Sequence, residues 1–73
     1  MSHKLKLCSG AEAVVKFQKS GWQIIRQRGS HTMLVKEGYL YTLSVPMHKE
    51  LGVGLLQKLL KQAKITTEEF DNI

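Results

Sequence analysis

Of the three histidines, His31 stands in the setting best suited to chemistry. It follows Gly29-Ser30 directly, and Arg26 and Arg28 stand just before it. An imidazole titrates near neutral pH and can give or take a proton, a step typically worth ~10² to 10⁴ in rate. A Gly-Ser turn in front of a strand lets the ring stand clear of the sheet, with the backbone and hydroxyl donors of Gly29 and Ser30 close by. The guanidinium groups of Arg26 and Arg28 are suited to gripping phosphate oxygens. Taken alone, a histidine at the start of a strand is more often an ordinary surface residue.

Other residues carry weaker signals. His48 and Lys49 lie in a basic loop, Met47-His48-Lys49-Glu50, where a histidine either contacts a ligand or is simply solvated. Lys49, Lys58 and Lys61 would form a phosphate-binding ridge continuous with Arg26 and Arg28, although a lysine-rich outer helix face is usually just solvated. Trp22, opening a strand after a helix stop, is expected to pack into the core or its margin. Tyr39 and Tyr41 share their side of a strand with Leu43 and Val45 and are expected in the core too. His3 is expected to be a tail residue. The lone Cys8 cannot form an internal disulfide, and with the scattered histidines it does not match structural zinc spacing.

The elements that must position these groups follow from capping and periodicity. Ser9-Gly10-Ala11-Glu12 has the spacing of a capping box, which starts a first helix that Gly21 stops. Its buried stripe is expected to run through Ala11, Val14, Val15 and Gln18, with Phe17 beside it. Residues 22–27 and 32–37 read as two strands paired across the Arg28-Gly29-Ser30 turn. After a turn at Glu37-Gly38, the alternation of Tyr39, Tyr41, Leu43 and Val45 against Leu40, Thr42 and Ser44 marks a third strand ending at Pro46. Leu55, Leu56, Leu59, Leu60 and Ala63 give a second helix its apolar face. Thr66-Thr67-Glu68-Glu69 repeats the capping box, with Ile65 and Phe70 at hydrophobic-staple positions, so a short third helix closes the chain. The expected class is α+β: an α-β-β-β-α order like that of double-stranded RNA-binding domains, with a three-stranded antiparallel sheet and both main helices on one face.

Three ordered segments of the chain then resemble one family. Gly21-Trp22-Gln23-Ile24-Ile25-Arg26-Gln27-Arg28-Gly29-Ser30-His31 is similar to the G-W/F-x-x-x-R-Q-x-G-S-H signature of HicA toxins. Val45-Pro46-Met47-His48-Lys49-Glu50-Leu51 resembles their V-P-x-H-x-x-L segment. Residues 54–63, GLLQKLLKQA, resemble their G-T-L-x-x-I-L-x-Q-A helix, with Leu55 where threonine is usual. The resemblance implies a ribosome-independent endoribonuclease that cleaves messenger RNA and is held inactive by a cognate HicB antitoxin. It implies an active-site histidine at His31 and neither a metal nor an organic cofactor. RNA supplies its own nucleophile, the 2′-OH beside each phosphate, so one imidazole can do much of the work.

Size and charge bound these possibilities. At 73 residues the chain is expected to be one domain, residues 1–73, with a shallow surface site, because a deep chamber would compete with so small a core. All eleven Lys and Arg but only three of the six acids fall within residues 1–67, a net +8 there that attracts polyanions. The start lacks a signal-peptide core and no run approaches membrane-spanning length, so a cytoplasmic protein without a membrane partner is expected. Two alternatives share the charge and the fold: a non-catalytic RNA-binding module, separated by testing for cleavage, and a basic adaptor for an acidic protein, separated by testing for salt-dependent RNA binding.

Overall fold

A computed structural model describes residues 6–73; the position expected for His3 lies outside the described residues. The first helix, α1 (Gly10–Lys19), starts as its sequence dictates. The Ser9 hydroxyl accepts from the Glu12 amide at 3.0 Å, and the Glu12 carboxylate accepts from the Ser9 amide at 2.9 Å. Gly21, at φ +100°, turns the chain after the helix, a conformation that costs a residue with a Cβ. The Lys36 ammonium donates to the Ser20 carbonyl at 2.8 Å and ties this helix end to the sheet. The buried face is Gly10, Ala13, Val14 and Phe17. That corrects the expected stripe by about one position: Ala11, Val15 and Gln18 are exposed. Gly10 has no side chain to mark it as an inward residue, and the backbone after the third strand fits against it.

Three strands follow, β1 (Gln23–Arg28), β2 (His31–Val35) and β3 (Leu43–Pro46), antiparallel in the order β1-β2-β3. Leu34 pairs with Leu43 and Thr32 with Val45, and these four side chains point into the core beneath the helices. Helices α1 and α2 (Val53–Ala63) cover that face, α2 through Leu56, Leu59, Leu60 and Ala63. The chain leaves α2 through Lys64, at φ +57°. The third helix, α3 (Thr67–Asp71), carries the second capping box, and its Phe70 ring lies 5.3 Å from that of Phe17 in the core. Trp22 is buried, as its position after the helix stop leads one to expect.

The third strand is shorter than its alternation suggests. Its partner β2 ends at Val35, so only residues from Leu43 onward find a ladder. The segment before it turns instead, with Gly38 at φ +87° and the Tyr39 amide donating to the Lys36 carbonyl at 3.0 Å. Tyr39 is half-buried and packs against the core, edge-on to Trp22 at 5.2 Å, whereas Tyr41 is 56 % exposed and is not the core residue that alternation implies. Among the described residues no helix is long and apolar enough to cross a membrane.

Candidate functional site

With both main helices on one side, the other face of the sheet is open, and strand register decides what stands on it. His31 pairs with Arg28 on one side and Pro46 on the other; Met33 pairs with Arg26 and Ser44. Side chains alternate across a strand, so His31 and Met33 face away from the core that Thr32 and Leu34 enter. Their paired neighbours Arg26, Arg28 and Ser44 share that open face. A bulge between Ile24 and Arg26 resets the phase of β1, so Ile24, still exposed, pairs with Leu34 while Arg28 pairs with His31 and Arg26 with Met33 on the open face.

The connection between β1 and β2 is a two-residue hairpin, Gly29-Ser30. Gly29 has φ +58° at its first central position, the placement that a type II′ turn requires. The hairpin is pinned from below by the loop after β3. The Met47 amide donates to the Ser30 carbonyl at 2.7 Å, the Gly10 amide to the His48 carbonyl at 2.9 Å, and the Leu51 amide to the Cys8 carbonyl at 2.8 Å. Those bonds bring the Met47–Glu50 loop, with exposed His48 and Lys49, to the end of the sheet where His31 stands.

His31 is exposed and lines a shallow, open depression with Arg28, Gly29, Met33 and Ser44. Neither Arg26 nor Arg28 has a carboxylate partner among the described residues, leaving both guanidinium groups available to an anion. Of the residues singled out by sequence, Arg28 and Gly29 line the depression with His31, Ser30 adjoins it and Arg26 lies one pair along the ladder, while Lys49 is placed only by its loop, which is tied to the Ser30 turn through Met47. Lys58 stands elsewhere: with Lys61 it lines a separate depression near Tyr41, so the basic ridge is not continuous. Ser44 and Met33 are site residues that motif spacing missed. Their signal was the alternation of β3 and β2, once the register set Ser44 beside Met33. Among the described residues no three His, Cys, Asp or Glu side chains gather where they could hold a metal ion.

The fold is therefore the α-β-β-β-α sandwich of double-stranded RNA-binding domains, carrying an exposed histidine and two arginines in register on its open sheet face. The sequence matches the family described as HicA toxin of bacterial toxin-antitoxin over residues 10–65, and the chain belongs to that family. It is thus the toxin of a toxin–antitoxin system, a class that works against an antitoxin partner. The match takes in every residue of the His31 depression and ends before α3. Comparison with curated proteins finds no match.

Proposed function

We propose that this toxin is an endoribonuclease that cuts messenger RNA in the cytoplasm with His31 as its catalytic residue, and that a HicB-type antitoxin silences it by covering the open sheet face. The observation that carries the proposal is the register of β1 with β2, which sets Arg26 and Arg28 beside an exposed His31. In the reaction the 2′-oxygen of one nucleotide bonds to the adjacent phosphorus and the bond to the 5′-oxygen breaks. The 2′-OH gives up its proton and the departing 5′-oxygen receives one; His31 performs one of these transfers and water the other. Arg28 and Arg26 offset the charge that builds on the phosphate oxygens, with Ser44 and the Gly29-Ser30 turn supplying neutral donors. The substrate carries its own nucleophile, so the chemistry asks for no bound metal.

A site this open has no lid among the described residues, which is why occlusion by a partner is the simplest control. The test is His31→Ala, expressed without antitoxin beside the wild type. The side chain is exposed, so circular dichroism should show an unchanged fold. Growth arrest and cleavage should fall ~10²-fold or more, with RNA and antitoxin binding retained. A folded variant that cuts RNA and arrests growth like the wild type would sink the assignment.

A further inference from the structure

Four of the five aromatic rings are paired inside the fold, Phe17 with Phe70 and Trp22 with Tyr39. Lys16 lies over Phe70, and Lys36 and Lys64 lie over Tyr39. The fifth ring, Tyr41, is 56 % exposed and carries no ring or ammonium partner among the described residues. It lines a depression with Lys58, Lys61 and Gln62, which share one side of α2 at helical spacing. Neither lysine is paired with a carboxylate among the described residues. A free aromatic face, two unpaired ammonium groups and an amide are the parts of a nucleotide site: the ring stacks on a base of any type, the lysines take phosphates, and the amide meets a base edge.

We infer that Tyr41, Lys58, Lys61 and Gln62 form a second subsite for single-stranded RNA, separate from the cutting site and engaged only by longer substrates. The inference rests on His31 marking the RNA-cleaving end. Pro46 pairs with His31, and Tyr41 precedes Pro46 by five positions, two residues before β3 begins. At ~3.3 Å per residue that places the subsite up to ~17 Å along the chain from the cut. RNA held at both ends would run along β3, the edge strand against which α2 packs. An acidic protein is the competing occupant of a basic surface. Here two ammonium groups and an amide surround walls made apolar by the Tyr41 ring and the lysine stems, a mixture that suits a stacked base with flanking phosphates, whereas the fully exposed Leu40 lines the adjoining depression beside Tyr41 and Gln62.

The experiment compares the wild type with Tyr41→Ala and Tyr41→Phe on two 2′-O-methyl oligonucleotides, which lack the attacking hydroxyl and cannot be cut. One is about 5 nucleotides long and the other about 16, the span of lengths that small single-strand binders occupy. Tyr41→Ala should weaken binding of the longer strand about tenfold and leave the shorter unchanged, whereas Tyr41→Phe, which keeps the ring, should bind both like the wild type. On cleavable RNA of the longer length, Tyr41→Ala should raise KM and leave kcat alone. Equal binding of the longer strand by Tyr41→Ala and wild type overturns the subsite while leaving the His31 proposal standing; if antitoxin binding falls instead, the surface belongs to the protein partner. Failure of the wild type to bind either strand overturns both proposals together.

Discussion

Substituting Gly10 by alanine sets two opposing effects against each other, and the geometry decides the sign. On helix propensity and unfolded-chain entropy alone, alanine should stabilise by ~0.4–1 kcal/mol. A Cβ at residue 10, however, would collide with the Pro46 carbonyl oxygen and come within 2.9 Å of the Met47 Cα. Those atoms are backbone and are held by the 2.7 Å Met47–Ser30 bond and the 2.9 Å Gly10–His48 bond. Relief therefore means ~1–3 kcal/mol of overpacking strain or the loss of one or two bonds worth ~1 kcal/mol each, and the net should be about 2 kcal/mol destabilising. For a domain of this size that lowers Tm by ~8–16 °C. Gly54→Ala in α2 is the control. A Cβ there meets nothing, so the same substitution should stabilise by ~0.5–1 kcal/mol. Thermal melts of the two variants against wild type measure both signs, and RNA cleavage below the melt should fall only in Gly10→Ala, because the displaced loop carries the Ser30 turn. A Gly10→Ala protein that melts at or above the wild-type temperature would refute the close approach of α1 to that loop, and with it the account of how the turn before His31 is held.

Two further outcomes follow from the same geometry. RNA binding should weaken with added salt, and the double variant Arg26→Ala and Arg28→Ala should flatten the log–log slope by ~0.7 for each phosphate that is no longer neutralised; an unchanged slope would remove both residues from the interface. Hydrogen bonds from the Ser9 backbone and hydroxyl hold the Glu12 carboxyl below its ordinary value, and those from Thr66 do the same for Glu69. Their contribution to stability is thus complete above the unfolded value of ~4.3 and is lost as pH falls through the lower folded values. Wild type should lose more Tm on acidification than the double variant Glu12→Gln and Glu69→Gln, and parallel melting curves would show that the caps do not titrate with folding.

Much of the fold was legible because its boundaries are written in local chemistry. Ser9 with Glu12 and Thr66 with Glu69 each satisfy backbone groups three residues away, so the sequence names both helix starts without knowledge of the rest. The errors arose where a distant partner decides. Gly10 is inward because the Pro46 backbone comes close to it, and no pattern in α1 reveals that. The alternation of Tyr39 and Tyr41 with Leu43 is genuine, but a strand is only as long as its neighbour, and β2 stops at Val35. The candidate site was legible as far as it is contiguous in sequence, from Arg26 to His31. Ser44 joins through the register of two strand pairs, and Lys58 leaves because α2 carries it to the other end of β3.

The smallness of the protein and the openness of its site have one cause. Two main helices suffice to cover one face of a three-stranded sheet, and the buried apolar side chains of the described residues form one cluster there. The opposite face must then carry whatever β2 presents in its other phase, and that phase holds His31 and Met33 while Thr32 and Leu34 enter the core. One five-residue strand thus supplies the core in one phase and, on the proposed function, the chemistry in the other. Substitutions at His31, Arg26 or Arg28 should therefore alter chemistry while the core stays intact, whereas those at Leu34 or Gly10 should act through folding. The same alternation leaves nothing on the described residues to shield that face, so on the function proposed above the cover must come from the antitoxin.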